Sequence, residues 1–124
     1  MNEPISVEVT AEGPVAVVAF KATSISNSEG IAVASKQIRE FLDKNRPSGV
    51  VFDFELVKFF SSQVLGVLLK TRAELETYNG EVVISAINPQ LHRIFKITNL
   101  DSVFRFFPDK ERAVKALWPR KANS

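Results

Sequence analysis

Hydrophobic and polar residues change period along the chain, and each change marks an element. Ile5-Ser6-Val7-Glu8-Val9-Thr10 alternates apolar with polar, which predicts a strand with one buried face. Glu12-Gly13-Pro14 is a turn signal, because glycine accepts positive φ and proline fixes its own φ while lacking a donor. Val15 to Phe20 is continuously apolar and predicts a second strand, paired with the first as an antiparallel hairpin. Thr23 to Ser28 is polar and holds several candidate helix N-caps. Behind it Ile31, Ala34, Ile38, Phe41 and Leu42 recur at three- and four-residue steps and define one helix face. Arg46-Pro47-Ser48-Gly49 ends that helix, since proline disfavours helix in the residue before it.

Val50 to Phe54 is apolar on both faces except at Asp53, the pattern of a central parallel strand covered on two sides. A second helical pattern runs from the serines at 61–62 to about Asn79. Leu65, Leu68, Leu69, Ala73 and Leu75 make its inward face, and Lys70, Glu74 and Thr77 face water. Val64, Val67 and Tyr78 widen the apolar arc, either as extra core or as a surface for a partner. Asn79-Gly80 stops the helix, with glycine suited to the left-handed conformation. Glu81 to Ile87 reads as a fourth strand.

Asn88-Pro89 opens a short helix with Leu91, Ile94 and Phe95 inward, proline standing where its missing donor costs nothing. Asn99-Leu100-Asp101 makes a turn, Val103 to Phe106 a last strand, and Pro108-Asp109 starts a helix packed through Ala113, Val114 and Leu117. The order ββαβαβαβα predicts one α/β domain over residues 1–124. Its mixed sheet carries an N-terminal antiparallel hairpin and about four helices, with a core from about 5 to 117 and a tail at 118–124.

Composition narrows the chemistry. The chain has 124 residues, enough for a core without staples, and no cysteine, so disulfides, thiolate metal sites and cysteine nucleophiles are excluded. No apolar run reaches the length of a membrane span, and Met1-Asn2-Glu3-Pro4 lacks the pattern of a secretory signal, which leads to an expectation of a cytoplasmic protein with no direct membrane insertion. Net charge is only +2; Lys110, Arg112, Lys115, Arg120 and Lys121 are dispersed among acids, which reads as a solvated face and argues against nucleic acid.

The candidate chemistry is concentrated at Phe59-Phe60-Ser61-Ser62-Gln63-Val64-Leu65-Gly66, where a strand hands over to a helix. A serine there can cap the helix, its oxygen accepting from an amide without an intrahelical partner. The same hydroxyl, near the surface, can accept a phosphate. Asp53 and Glu55 stand two apart but have no nearby histidine, cysteine or third acid, so neither a metal site nor an acid/base pair is expected. His92 is the only histidine and reads as solvated or packed, since catalysis would require a nucleophile and an orienting acid beside it. Phe104, Phe106 and Phe107 read as packing residues, and the five glycines form no phosphate loop. No cofactor, metal or catalytic constellation is expected, and the chain is not read as an enzyme.

The element order and two segments resemble the STAS domain, the fold of bacterial anti-sigma factor antagonists, from about Val15 to Leu117. Members of that family carry an aspartate on the third strand and, eight residues on, Asp-Ser-Ser/Thr-Gly-Leu-Gly. Registered on Asp53, that motif falls on Ser61-Ser62-Gln63-Val64-Leu65-Gly66: Ser62, Leu65 and Gly66 match, while Ser61, Gln63 and Val64 depart. Ile97-Thr98-Asn99-Leu100-Asp101-Ser102-Val103-Phe104 is similar to the family's Thr-Gly-Leu-Asp-x-x-Phe segment, with asparagine, the next best residue at positive φ, in the glycine place. The resemblance implies partner switching, in which an antagonist binds an anti-sigma factor that is also a serine kinase. Phosphorylation of the motif serine ends the binding and a serine phosphatase restores it. The phosphorylated residue would be Ser62, with Ser61 second, because moving the register by one loses Leu65-Gly66 and the Asp53 spacing. The implied partner surface is Phe60, Ser61, Ser62, Gln63, Val64, Gly66 and Val67. The alternative the resemblance leaves open is a constitutive STAS adaptor subunit of a larger complex, a lipid-transport ATPase or a sensory assembly, without phosphorylation.

Overall fold

A computed structural model gives the structure, which describes residues 7–118. The order is β1 (Val7–Glu12), β2 (Val15–Phe20), β3 (Ser24–Ile25), α1 (Ser28–Asn45), β4 (Gly49–Asp53), β5 (Phe59–Phe60), α2 (Ser62–Glu76), β6 (Glu81–Ser85), α3 (Pro89–Ile97), β7 (Arg105–Phe107) and α4 (Lys110–Leu117). The main sheet runs β1-β2-β4-β6-β7, with β1 antiparallel to β2 and the other neighbours parallel. The predicted hairpin and the central position of the strand at Val50 are therefore found. Residues 5–6 of the predicted first strand and 119–124 of the predicted tail lie outside the described residues.

The core follows from the continuous apolar runs of the interior strands. Side chains alternate across a strand, so Ala16, Val18 and Phe20 of β2 join Val50 and Phe52 of β4 against α1, α2 and α3. Val15, Val17, Val51 and Val83 point the other way and pack on Ala113, Val114 and Leu117 of α4. A linked run of rings, Phe20, Phe54, Phe60 and Phe95, carries the larger core towards the ends of β4 and β5, with centroids 5.2 to 6.1 Å apart.

Several boundaries differ from the sequence expectation for local reasons. The strand predicted to Ile87 stops at Ser85, because Ala86 turns to φ 56° and its amide bonds to Phe107 O. The last strand lies at Arg105–Phe107, where Arg105 pairs with Glu81 through two 2.8 Å hydrogen bonds. The left-handed residue that ends α2 is Asn79 (φ 67°), one before the glycine expected to take that role. Asn99 does adopt the positive φ (62°) expected of it. Gly13, at φ 61°, makes the hairpin turn under the Trp118 ring, which leaves no room for a Cβ there. The pair β3–β5 is an unexpected second sheet of two short parallel strands, and it sets the geometry of the serine loop.

Candidate functional site

The chain leaves β4 at Asp53 and returns as β5, pinned by a series of backbone bonds. Val57 N donates to Phe54 O at 3.0 Å, Lys58 N to Thr23 O at 2.8 Å and Ser61 N to Ile25 O at 2.9 Å. Asn88 Nδ2 adds a side-chain bond to Val57 O at 3.1 Å. Helix α2 then starts directly, without a flexible linker. Adjacent strand residues face opposite ways, so of the two phenylalanines one is buried and the other exposed. Phe60 is the buried one, 3% exposed, and Phe59 is 53% exposed.

The same alternation separates the serines. Ser61 is the N-cap residue of α2, extended at φ −82° and ψ 163°, yet its side chain makes no cap hydrogen bond. Its hydroxyl oxygen is buried and without a partner among the described residues. Ser62 is the first helical residue and faces solvent. The capping role considered for Ser62 is thus corrected: its backbone is already helical, one position too late to cap. No acidic residue occupies the first turn of α2. The positive end of the helix dipole beside Ser62 is accordingly uncompensated by the helix's own side chains.

Around Ser62 the surface is open. Gln63 is exposed and its Oε1 accepts from Ser28 Oγ at 3.0 Å, which places the first turns of α1 and α2 side by side. Above Gly66 an added Cβ would meet no atom within 4 Å. Ser62, Gly66, Leu69 and Ala73 follow one another at helical spacing and are all exposed. Leu69 and Ala73, expected inside, therefore face out; the buried positions of α2 are Val64, Leu65, Leu68, Thr71 and Leu75. The helix is rotated so that Thr71 takes an inward place, its hydroxyl satisfied by Val67 O at 2.8 Å.

Two residues of the expected partner surface, Phe60 and Val64, are instead part of the core at 3% and 1% exposure. They support the surface from beneath. Val67 is half-buried against the same core. Beneath the serines, Phe20, Ile25, Ile31, Ala34, Val64 and Val67 line an apolar void of about 10 Å³. Such a space offers a ligand neither room nor polar partners.

The remaining candidates have structural explanations. Asp53 Oδ1 accepts from the Glu55 amide at 3.2 Å and from the buried Ser85 hydroxyl at 3.3 Å, while Glu55 itself is exposed. The ring of His92 packs 4.3 Å from that of Phe106. Among the described residues, no three of histidine, cysteine, aspartate or glutamate gather as metal ligands would. Sequence reasoning missed the exposed Leu56 and Phe59 and the part played by Ser28. A double phenylalanine before a helix does signal that one ring points outward, but period alone leaves open which one.

Comparison with known proteins agrees with this fold. The STAS domain family model matches residues 10–113, and the chain belongs to that family. An anti-sigma factor antagonist from Mycobacterium paratuberculosis is 25% identical, with a TM-score of 0.76 over 91% of this chain and 93% of that one. The anti-sigma factor antagonist SpoIIAA, in its unphosphorylated form, gives a TM-score of 0.80 at 15% identity over 90% and 96% of the two chains. A sulfate transporter family protein from Wolinella succinogenes shares the fold at 12% identity, with a TM-score of 0.71 over 87% and 88%. The last two likenesses concern the fold.

Proposed function

We propose that this member of the STAS domain family is a protein-binding module of the anti-sigma factor antagonist kind, switched by phosphorylation at Ser62. The observation that carries the reading is the placement of Ser62: exposed, first in α2, on an open surface whose underside is core. A phosphate there adds close to two negative charges and three acceptor oxygens. The helix dipole and the free amides of the first turn tolerate it, so the fold survives while a contact surface is altered. The partner would be an anti-sigma factor that is also a serine kinase, with a phosphatase to reset the state. In such a system the kinase performs the chemistry and this chain is its substrate and ligand. The module would act in the cytoplasm.

Intact-mass and peptide mass spectrometry on protein isolated from its own cells, across growth and stress, tests this directly. The reading expects phosphate on Ser62 with changing occupancy, and Ser62→Asp should abolish partner binding at nearly unchanged Tm. Phosphate on Ser61 alone would move the switch to a residue whose hydroxyl is buried, and would require the loop to open. No phosphate under any condition would sink the switch. A constitutive adaptor is the second reading, favoured by Ser61 standing where the family's motif has its aspartate. Under it Ser62→Ala leaves partner binding unchanged.

A further inference from the structure

We infer that Leu56, Phe59 and Lys58 form the anchor of the partner surface, and that they receive a protein segment bearing an apolar side chain next to a carboxylate. This rests on the protein-binding reading above and deepens it. Leu56 and Phe59 are 46% and 53% exposed, although each belongs to a segment whose alternate residues, Val57 and Phe60, are fully in the core. Burial of those neighbours keeps the outward pair outward.

The segment is also held rigidly. The amides of Val57, Lys58 and Phe59 donate to Phe54 O and Thr23 O at 2.8 to 3.1 Å, and Asn88 Nδ2 holds Val57 O from the other side. Exposed apolar side chains on an immobilised backbone lose little conformational entropy on binding, which is the property of an interface anchor.

The charge next to them identifies the occupant. Lys58 lines an open groove of about 410 Å³ together with Asn88, Pro89 and Gln90, and no acidic residue among the described ones lines it. Among the described residues Lys58 takes part in no salt bridge. A single ammonium beside the exposed Gln90 amide suits one carboxylate and a peptide backbone, while the Asn88 amide is already engaged by Val57 O and the Leu91 amide. Nucleic acid or an anionic bilayer calls for a cluster of cations, which the groove lacks. The complementarity also gives the phosphate switch its sign. Lys58 and Phe59 precede Ser62 by four and three residues, so a phosphate on Ser62 would repel the carboxylate that Lys58 attracts.

The test is site-specific photo-crosslinking in the cells that make the protein. The chain carries p-benzoylphenylalanine at position 59, or at Ile97, which is more exposed still, as a control, and the crosslinked segment is mapped by peptide mass spectrometry. The expected result is capture from position 59, absent from 97, of a segment of another protein that contains Asp or Glu beside an apolar residue. Lys58→Glu should abolish that capture. Phe59→Ala should weaken binding of the captured protein, once purified, by at least about tenfold, with Tm preserved because the ring is outside the core. Capture of a basic segment, of a second copy of this chain, or equally from 97 overturns the inference, as does no capture from 59. Loss of binding in Ser62→Asp with Phe59→Ala unaffected overturns it while leaving the Ser62 switch standing. Loss in Phe59→Ala with Ser62→Asp unaffected does the reverse.

Discussion

Asp109 Oδ1 accepts the Arg112 amide at 2.8 Å and so closes the first turn of α4. Asn27 does the same for α1 and Asn88 for α3, at 3.0 and 2.9 Å. At the corresponding position of α2, Ser61 makes no such bond and its hydroxyl oxygen is buried without a partner among the described residues. Three caps and one orphan lead to opposite expectations for the same kind of substitution. Asp109→Ala should cost about 1 kcal/mol, the usual worth of a side-chain cap. Ser61→Ala should be neutral within about 0.5 kcal/mol or slightly stabilising, since it removes an unsatisfied polar group. Urea denaturation of the two variants checks the contrast, and a loss of about 1 kcal/mol in Ser61→Ala would mean that the hydroxyl caps α2 in solution.

Val64 separates this chain from its family's motif. Glycine stands at that place in the motif that the sequence resembles, but here the side chain is 1% exposed and lines the small void between α1 and α2. Val64→Gly, which restores the motif, should therefore destabilise the domain. Loss of the buried side chain, with the cavity it leaves and the added backbone freedom, is expected to total roughly 3 kcal/mol. Tm should drop by on the order of 10 °C for a chain of this size. A variant as stable as the parent would show that the first turn of α2 repacks without the isopropyl group.

Most of the architecture was legible because burial repeats with the period of each element. The run Val15–Phe20 announced the second strand of a hairpin and Gly49–Phe54 a central strand, and the structure places the first beside the edge strand and the second in the middle of the sheet. What period could not give was rotation and short-range geometry. The apolar arc of α2 is so wide that Leu69 fitted either face, and a threonine at 71 supplied no sign that it would point inward. The strands Ser24–Ile25 and Phe59–Phe60 have two residues each, too few to show an alternation. Their pairing nonetheless decides that Phe59 is outside, that Phe60 is inside and that Ser62 rather than Ser61 is presented. Where the motif departed from its family, at Val64, the reason was packing, and packing across two helices cannot be read from local sequence.

Tyr78 is the only tyrosine, so its titration can be followed alone. Its hydroxyl oxygen is buried without a hydrogen-bond partner among the described residues, and the Arg46 guanidinium lies 4.4 Å from the ring centre. Burial raises its pKa above the ordinary value of 10.0; Arg46 opposes that shift and Glu74 adds to it. A pKa raised in the folded state means that the folded protein holds its proton where the unfolded chain has released it. The associated stability is complete below about pH 10 and is lost as pH rises through the folded value. Absorbance at tyrosinate wavelengths should show folded protein ionising above the pH at which the urea-unfolded chain does. Tyr78→Phe should be at least as stable at neutral pH and should lose less stability between neutral and strongly alkaline solution. Coincident titrations of folded and unfolded protein would contradict the burial of the hydroxyl.

Gly66 poses the sharpest question about the surface, because nothing inside the molecule requires it. It lies in the second turn of α2 and is not among the residues at positive φ, and an added Cβ meets no atom within 4 Å. Glycine inside a helix is destabilising by roughly 0.5–1 kcal/mol relative to alanine. Gly66→Ala should accordingly stabilise the isolated domain by about that amount, with a measurable rise in Tm. A residue that lowers the stability of its own helix on an exposed face, one turn beyond Ser62, is expected to serve the close approach of another molecule. The same variant should therefore bind the partner more weakly, most clearly through faster dissociation, since a methyl group would hold the two surfaces apart. Greater stability with unchanged binding would detach Gly66 from the interface and confine the contact surface to the loop side of Ser62.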